Sequence, residues 1–417
     1  MTERIGKSND ISLIHVLAVL SIPGVLFCSG SAASICYSGC TLPIAAVLVI
    51  TWVLVFLTQN PRLRLLSPEA LLLCVLAGGA IFSLLFSGMV GWASCVTFLR
   101  VLCVAYLLVR VLGVRLVARG FVGTMEVVAV ISLIGFFVFE VLGVNPPFPT
   151  MMTHTGSTVY SNAIIFVVDL GMNSGRNVGL FWEPSIYAAY INVSIAILLF
   201  YDQSNRRTKR LVLFLLVLFT TESAGGLIEL LCILVAYWYR QGSKPLVVVS
   251  LVVLIAAFVL TYTQLQSLLL SINYDLFYKF FGGSNSGTTQ TRLECPILNM
   301  QIWLQSPLFG SGFYGADVMY DNLRMSSVIS NLAQTSTVTY LPAAIGVFGF
   351  ALFIACIYGF AKIVNLPAFS KIALFIAVMV FLNEEPCTYF MAMYLLVFML
   401  LGLRSVARPR WYGIAEN

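Results

Sequence analysis

Long apolar stretches, separated by short connectors rich in Lys and Arg, dominate this sequence of 417 residues. A helix that crosses a membrane needs about 20 apolar residues, and 60% of this chain is hydrophobic whereas only 10% is charged. A water-soluble domain of this length does not have that balance. The sequence therefore predicts an all-α, polytopic integral membrane protein, with one membrane domain over residues 1–417.

The distribution of basic residues predicts the orientation of this domain. All but five of the 23 Lys and Arg residues lie in the two termini or in short connectors, namely 58–68, 110–120, 202–210, 240–244 and 362–371. Short loops rich in Lys and Arg remain in the cytoplasm. We therefore expect both termini to be cytoplasmic and two long loops, 142–185 and 263–335, to be extracytoplasmic.

The apolar stretches predict about 12 transmembrane helices, with no internal repeat and no separate soluble domain. The segment TTESAGG (220–226) predicts a turn between two neighbouring spans at the outer face, and NEEP (383–386) predicts another. The predicted spans are 11–29, 40–57, 69–87, 92–112, 121–142, 186–201, 211–221, 223–239, 245–262, 336–360, 372–384 and 386–403.

The second long loop contains one predicted amphipathic helix, at 290–305. Its residues Leu293, Ile297, Met300 and Leu304 recur at helical spacing and form one apolar stripe. Such a helix is expected to lie on the outer leaflet or to cap the bundle. Asn299 would then point away from the stripe, towards whatever lies above the membrane.

Three arginines on the outer side are candidates for binding an anionic group. Arg176 is flanked by glycines, and its guanidinium can contact a phosphate through two hydrogen bonds; the alternative is an interfacial arginine that meets lipid phosphate. Arg292 begins the amphipathic helix, where a cation opposes the helix dipole, so an anionic ligand would explain it. Arg324 has Asp321 nearby, and a surface ion pair is its simpler explanation.

Glu183 precedes Pro184, a residue suited to the first turn of a helix. Glu183 is therefore either an N-cap that complements the helix dipole or a general base at the membrane face. Within the spans, Arg100 and Glu229 are costly charges. They predict either a structural ion pair or a path for protons or ions.

Several classes of protein are excluded by missing motifs. The sequence has no His/Cys spacing typical of a structural metal site, no phosphate-binding loop and no hydrolase or metalloprotease motif. We therefore expect neither a metal nor a cofactor. The basic excess lies on the cytoplasmic side and is scattered over short loops, so nucleic acid is not an expected partner either.

Three segments resemble one family. Arg176–Ser185 fits the pattern R-x2-G-x-F-x-E-P-S, and the stretch from Arg292 through Ser306–Phe313 resembles a large-loop helix ending in P-L-x-G-x-G. Asn331 onward into Gly346–Gly349 resembles the lead into the next span. Over roughly 170–350, the chain is similar to bacterial O-antigen polymerases of the Wzy type and to the related O-antigen ligases.

The resemblance implies a metal-independent glycosyltransferase in the bacterial inner membrane. Such an enzyme transfers a growing glycan from undecaprenyl diphosphate to another lipid-linked repeat unit at the outer face. Arg176, Arg292 and Arg324 would bind the diphosphate, and Glu183 would be the catalytic base. The expected partners are undecaprenyl-diphosphate-linked oligosaccharide as donor and acceptor, membrane lipids and a chain-length regulator protein.

Two alternatives stay open. The ligases often have a histidine before the asparagine of the third segment, where this chain has Ser330; this favours the polymerase. A flippase of lipid-linked oligosaccharide also suits many spans with interior charges, although transporters usually place their ligand sites at mid-membrane, between internal repeats.

Overall fold

The computed structural model of the protein describes residues 20–37, 39, 41–59, 67–87, 91–153, 159–171, 174–201, 206–262, 286–326 and 334–404, which are mostly helical. The helices are α1 (20–27), α2 (Ala32–Cys36), α3 (Thr41–Gln59), α4 (Pro68–Phe86), α5 (Trp92–Gly135), α6 (Pro184–Phe200), α7 (Arg207–Thr221), α8 (Ala224–Arg240), α9 (Lys244–Tyr262), α10 (Ser286–Gln305), α11 (Phe313–Ser326), α12 (Thr337–Ile345), α13 (Ala351–Ala361), α14 (Ala368–Glu384) and α15 (Met391–Gly402). A π-helical turn, Phe136–Val141, extends α5, and the 3-10 helices Gly346–Phe350 and Cys387–Tyr389 precede α13 and α15.

Long apolar helices indicate that the protein lies in a membrane. Within the described ranges, three helical segments are long and apolar enough to span one: Pro68–Phe86, Trp92–Val141 and Thr337–Ala361. Shorter apolar helices are Thr41–Leu57, Pro184–Phe200, Lys244–Val253 and Met391–Gly402. Their outward faces carry large apolar side chains, such as Val248 and Val252 on α9, which lipid would cover. The total of about 12 spans and the orientation stay predictions.

The basic connector 110–120 is helical. Helix α5 has one break, at Gly113, where φ is 72° and ψ is 160°. Glycine adopts this positive φ without the steric cost that a Cβ would add. The predicted spans 92–112 and 121–142 are therefore two arms on either side of a glycine break, and most of the connector belongs to the second arm.

The two tight turns predicted between neighbouring spans are present. Helix α7 ends at Thr221, Glu222 has a left-handed φ of 49°, and the side chain of Ser223 caps α8 by accepting from the Gly226 N–H. At the second turn, α14 ends at Glu384 before the short 3-10 helix that leads to α15. Polar residues within otherwise apolar runs made both turns predictable.

The first long loop contains a small antiparallel sheet that the prediction lacked. Its strands are β1 (Thr150–Met152), β2 (Val159–Asn162) and β3 (Val167–Asp169), in that order, and Ser161 lies opposite both Thr150 and Val168. The sheet packs on α2. Strands of three or four residues show too little alternation of apolar and polar residues for a sequence pattern to reveal them. The predicted all-α architecture therefore lacked this one small sheet.

The amphipathic helix of the second loop is present as α10, but the expected direction of Asn299, away from the protein, was wrong. Ile297 and Leu304, which belong to the predicted apolar stripe, are 58% and 66% exposed, whereas Asn299 is completely buried. The Asn299 side chain exchanges hydrogen bonds with Gln334 and donates to Thr339 Oγ1 (3.0 Å). Because a buried amide needs such partners, the side of α10 that carries Asn299, together with the buried residues Cys295 and Ile302, faces the protein, whereas Ile297 and Leu304 face outwards.

Backbone contacts join the segment after α10 to the end of α12. Ser311 N–H donates to the Ala343 carbonyl and Gly312 N–H to the Ala344 carbonyl, each at 2.9 Å, while Val347 N–H donates to Pro307 at the same distance. Two segments of the family resemblance, Ser306–Phe313 and Gly346–Gly349, thus lie directly against each other.

Candidate functional site

Arg176 lies against the end of helix α7. Its Nε donates to the Thr221 carbonyl (3.0 Å) and a terminal nitrogen donates to the Glu222 carbonyl (2.9 Å). The last carbonyls of a helix have no intrahelical partner and carry partial negative charge, which a cation stabilises. The described contacts therefore make Arg176 an anchor between the first loop and the α7–α8 turn, and its contact with a diphosphate stays a prediction.

Asn177 also attaches the first loop to the end of α7. Its backbone N–H donates to the Thr220 carbonyl (2.9 Å), and its Nδ2 donates to Thr220 Oγ1 (3.0 Å). Its Oδ1 accepts from the Gly179 N–H (3.0 Å), which closes a turn just before the motif enters α6. Gly179 has a φ of 62°, and a Cβ there would lie within 3 Å of the Tyr187 ring. The first part of the motif is thus attached to the end of α7, and Gly179 lies against Tyr187 of α6.

Glu183 is the N-cap residue of α6, as the sequence predicts. Its backbone is extended (φ −140°, ψ 135°), Pro184 follows in the first helical turn, and the Glu183 side chain makes no capping hydrogen bond. Its side chain is half-buried. The backbone conformation of an N-cap is therefore present, and the role of the carboxylate as a base stays a prediction.

Four helix ends meet around Glu384 and Glu385. Ser185 Oγ, in the first turn of α6, donates to Glu385 Oε1 (3.2 Å). Thr337 Oγ1, at the start of α12, donates to the Glu385 carbonyl (3.4 Å) and accepts from the Cys387 N–H (2.8 Å). The Glu384 carboxylate fills the space over Gly225 near the start of α8, where a Cβ would overlap it. We refer to Ser185, Gly225, Thr337, Glu384 and Glu385 as the glutamate cluster.

The electrostatics of the glutamate cluster follow from the helix directions. Helices α6, α8 and α12 begin there, and each N-terminus presents N–H groups with partial positive charge. Glu384 and Glu385 are 4% and 8% exposed, so these helix starts surround nearly buried carboxylates. From the sequence, Glu384 and Glu385 were predicted only to belong to a turn. Two adjacent glutamates in an apolar region were the signal that could have identified them.

A narrow apolar groove lies between helices that include α6, α8 and α14, which also carry residues of the glutamate cluster. Its volume is about 170 Å³, and residues of α5, α6, α8, α13, α14 and α15 line it. The polar side chains among these include Asn192 and Glu229. Asn192 Nδ2 donates to Glu229 Oε2 (3.0 Å) and to the Gly226 carbonyl (2.7 Å), which connects the groove to the first turn of α8.

The expected pair between Arg100 and Glu229 is not formed. Glu229 receives a hydrogen bond from Asn192 instead, and the buried Nε of Arg100 has no hydrogen-bond partner among the described residues. A neutral amide on the neighbouring helix α6 therefore provides the donor to Glu229 Oε2 that the arginine was expected to provide. The interpretation as a structural ion pair was therefore wrong.

The roles of Arg292 and Arg324 as ligands of the diphosphate stay predictions. Arg292 is on α10 and Arg324 is on α11, but their side chains lie outside the described residues. The resemblance also implies that four aromatic residues, Tyr274, Phe277, Tyr278 and Tyr314, stack on sugar rings. Tyr314 is exposed, and the other three lie outside the described residues. Of the three predicted diphosphate ligands, Arg176 is therefore the one whose surroundings the structure describes.

Asp317 on α11 lies near the start of α12. Its Oδ1 accepts a hydrogen bond from the Tyr340 hydroxyl (2.8 Å). Desolvation raises the pKa of the Asp317 carboxyl, the Tyr340 hydrogen bond acts in the opposite direction, and the charge of Asp321 raises the pKa further.

Among the described residues, no group of three or more His, Cys, Asp or Glu side chains is placed to hold a metal ion.

Comparison with known proteins assigns no family. No protein-family model matches the chain, and no curated protein matches it significantly. The class that the fold itself defines is a helical membrane protein, in which a small sheet and two loop helices accompany the apolar bundle.

Proposed function

We propose that the protein polymerises lipid-linked oligosaccharide repeat units at the outer face of the bacterial inner membrane. It would transfer the growing glycan from undecaprenyl diphosphate to another lipid-linked repeat unit, for O-antigen or a related surface polysaccharide. The observation that carries this proposal is the apolar groove between helices that also carry the glutamate cluster, because a site for a lipid-linked sugar needs a polar end next to an apolar channel.

The groove and the cluster are joined through two helices. Leu382 lines the groove and is two residues before Glu384 on α14. Glu229 lines it on α8, four residues after Gly225, which corresponds to about one helical turn, or roughly 5.4 Å along the axis. A polyprenyl chain in the groove would therefore have its head near the starts of α6, α8 and α12.

The three resembling segments support the same location. Arg176–Ser185 ends at Ser185, which contacts Glu385, and Glu385 in turn contacts Thr337 at the start of α12. Helix α12 leads into Gly346–Gly349, which lies against Ser306–Phe313. Segments that are far apart in the sequence thus form one continuous set of contacts, as expected for parts of one site.

The proposed reaction breaks the bond between the anomeric carbon of the donor and the diphosphate oxygen. A hydroxyl oxygen of the acceptor forms the new bond to that carbon, and its proton passes to a carboxylate. Glu183 is the proposed base, and Glu385 is a second candidate because Ser185 holds it near the same helix start. Arg176, Arg292 and Arg324 would stabilise the departing diphosphate, which carries the negative charge.

The flippase alternative is favoured by one observation, the Asn192–Glu229 pair inside the groove. Polar groups within a membrane domain often mark the path of a transported ligand. The ligase alternative shares the polymerase chemistry and differs in the acceptor. The three activities leave different glycans in a cell that lacks the native gene, so a single experiment distinguishes them.

The experiment is the surface-glycan ladder of such a deletion strain. Lipid core with a single repeat indicates a polymerase, bare core with lipid-linked polymer indicates a ligase, and single lipid-linked repeats retained inside indicate a flippase. In the complemented strain, Glu183→Gln should reduce chain extension about 10²–10⁴-fold, whereas Asp321→Asn, which removes another outer carboxylate, should not. Equal ladders from both variants would remove Glu183 from the proposed mechanism.

A further inference from the structure

A second cavity lies at the break in helix α5. Its volume is about 840 Å³. The polar or charged residues that line it are Ser67, Glu69, Tyr106, Arg110, Lys362 and Arg404. We propose that this cavity binds a phosphate group, as carried by an anionic lipid headgroup or by a soluble phosphate. The proposal does not depend on the proposed function.

The break at Gly113 shapes the cavity. With a φ of 72° and a ψ of 160° at Gly113, the first arm of α5 ends next to Arg110 and the second arm begins at Val114. Val114 packs on the end of α15, where a Cβ on Gly402 would lie 2.7 Å from its Cγ2. Both glycines line the cavity. The cavity thus lies where α5 changes direction beside the end of α15.

The charge of the lining favours an anion. Three cationic side chains, those of Arg110, Lys362 and Arg404, line the cavity together with one carboxylate, that of Glu69. Burial lowers the pKa of the Lys362 amine, while the charge of Glu69 raises it. The lining thus carries more positive than negative charge, and a phosphate in the cavity could accept hydrogen bonds from guanidinium groups.

The start of helix α4 forms another wall. Ser67 caps this helix by accepting from the Ala70 N–H (3.2 Å), and Pro68 and Glu69 follow in its first turn. The N–H groups of a helix start add partial positive charge to that of the three cations. Lys362 Nζ donates to the Leu401 carbonyl, which holds the amine at the edge of the cavity.

The apolar part of the lining suits a lipid. Val109, Val114 and Leu401 contribute to the walls, so the cavity joins charged side chains to an apolar helix surface. An anionic phospholipid combines a phosphate with acyl chains, and basic pockets between transmembrane helices bind such headgroups. Inorganic phosphate offers the same charge without the chains, so the two sources can be separated by experiment.

The test uses the purified full-length protein in neutral detergent. Binding is followed as the rise in melting temperature when phosphatidylglycerol, phosphatidylcholine or inorganic phosphate is added. We expect phosphatidylglycerol to stabilise the protein and phosphatidylcholine to have little effect. A rise with inorganic phosphate alone identifies a soluble phosphate as the ligand, whereas a rise that requires phosphatidylglycerol identifies the lipid.

The variants are Arg404→Gln and Arg110→Gln, and Arg115→Gln is the matched control. Arg115 is an exposed arginine of the same connector and does not line the cavity. Each cavity variant should weaken the apparent affinity about fivefold, and Arg115→Gln should retain it. Equal affinities for Arg404→Gln and Arg115→Gln would overturn the proposal.

A second measurement on the unaltered protein covers the case in which Arg110→Gln does not fold. Raising the salt concentration from about 0.05 M to about 0.5 M should weaken binding severalfold, because the attraction depends on partly exposed charges. A melting-temperature rise that is independent of salt, or the same with phosphatidylcholine as with phosphatidylglycerol, would show that the cavity does not select phosphate by charge.

Discussion

Gly310 and Gly346 lie backbone to backbone. A Cβ placed on Gly310 would be 2.5 Å from the Gly346 nitrogen, and a Cβ on Gly346 would be 2.2 Å from the Leu308 carbonyl oxygen. Both residues also have positive φ, 73° and 66°. The close approach of the second loop to the end of α12 therefore depends on glycine at both positions, for space as well as for backbone conformation.

The first prediction concerns this contact. Gly346→Ala should lower the free energy of unfolding by about 1–3 kcal/mol, because the methyl group meets a carbonyl that cannot move without separating the two segments. Gly242→Ala is the matched control, since Gly242 has a φ of 74° but no neighbouring atom within 4 Å of the place that a Cβ would take. Thermal unfolding in detergent should place Gly346→Ala below Gly242→Ala, and the reverse order would contradict the close approach.

The second prediction concerns Arg176. Arg176→Lys keeps the charge but loses the planar arrangement that reaches the Thr221 and Glu222 carbonyls together. We expect a loss of about 1.5–3 kcal/mol in stability together with reduced glycan chain extension. Arg115→Lys, at an exposed position, controls for the substitution itself. Unchanged stability with abolished extension would instead favour a direct diphosphate contact.

The third prediction concerns the glutamate cluster. Ser185→Ala removes the hydrogen bond to Glu385 Oε1 and should cost about 1–3 kcal/mol, because a nearly buried carboxylate loses a donor. Ser194→Ala is the control: Ser194 is buried in the same helix, and its hydroxyl donates to the Tyr190 carbonyl one turn earlier. A double-mutant cycle with Glu385→Gln should show coupling of about 0.5–3 kcal/mol. Additive effects would deny that the two side chains interact.

The fourth prediction concerns the buried face of α10. Asn299→Leu should destabilise the protein by about 1–3 kcal/mol, since the Gln334 side chain would lose its hydrogen bonds to the Asn299 amide. Ile297→Ala on the same helix, at a residue 58% exposed, should change stability much less. If the exposed position proved the more sensitive one, α10 would bury its apolar stripe after all.

The fifth prediction concerns the pH dependence of stability. Desolvation raises the pKa of Asp317, so its contribution favours the folded state below the unfolded pKa of about 3.9 and is lost as the pH rises through the folded value. Asp317→Asn removes this dependence. The stability of the variant relative to the unaltered protein should therefore increase as the pH rises above about 3.9. A difference that stays constant above this pH would contradict the raised pKa.

Much of the secondary structure could be predicted from composition and periodicity. The apolar helices, the turns at Glu222 and after Glu384, and the N-cap position of Glu183 follow from local signals that act within a few residues. The sheet in the first loop could not be found in this way. Its short strands are stabilised by packing on α2, a contact between segments that are far apart in the sequence.

The candidate site was also predictable only in part. The sequence by itself determined the membrane character of the chain and the residue spacing within each motif of the resemblance. Both follow from local sequence, because the hydrophobicity of a segment and the residues that favour a turn depend on neighbouring residues. The tertiary structure alone decided that Arg176 anchors α7, that Asn192 rather than Arg100 is the hydrogen-bond donor to Glu229, and that Glu384 and Glu385 lie among three helix starts. These relationships depend on how helices that are far apart in the sequence pack together. A buried polar group forms its hydrogen bonds with the groups that this packing places next to it.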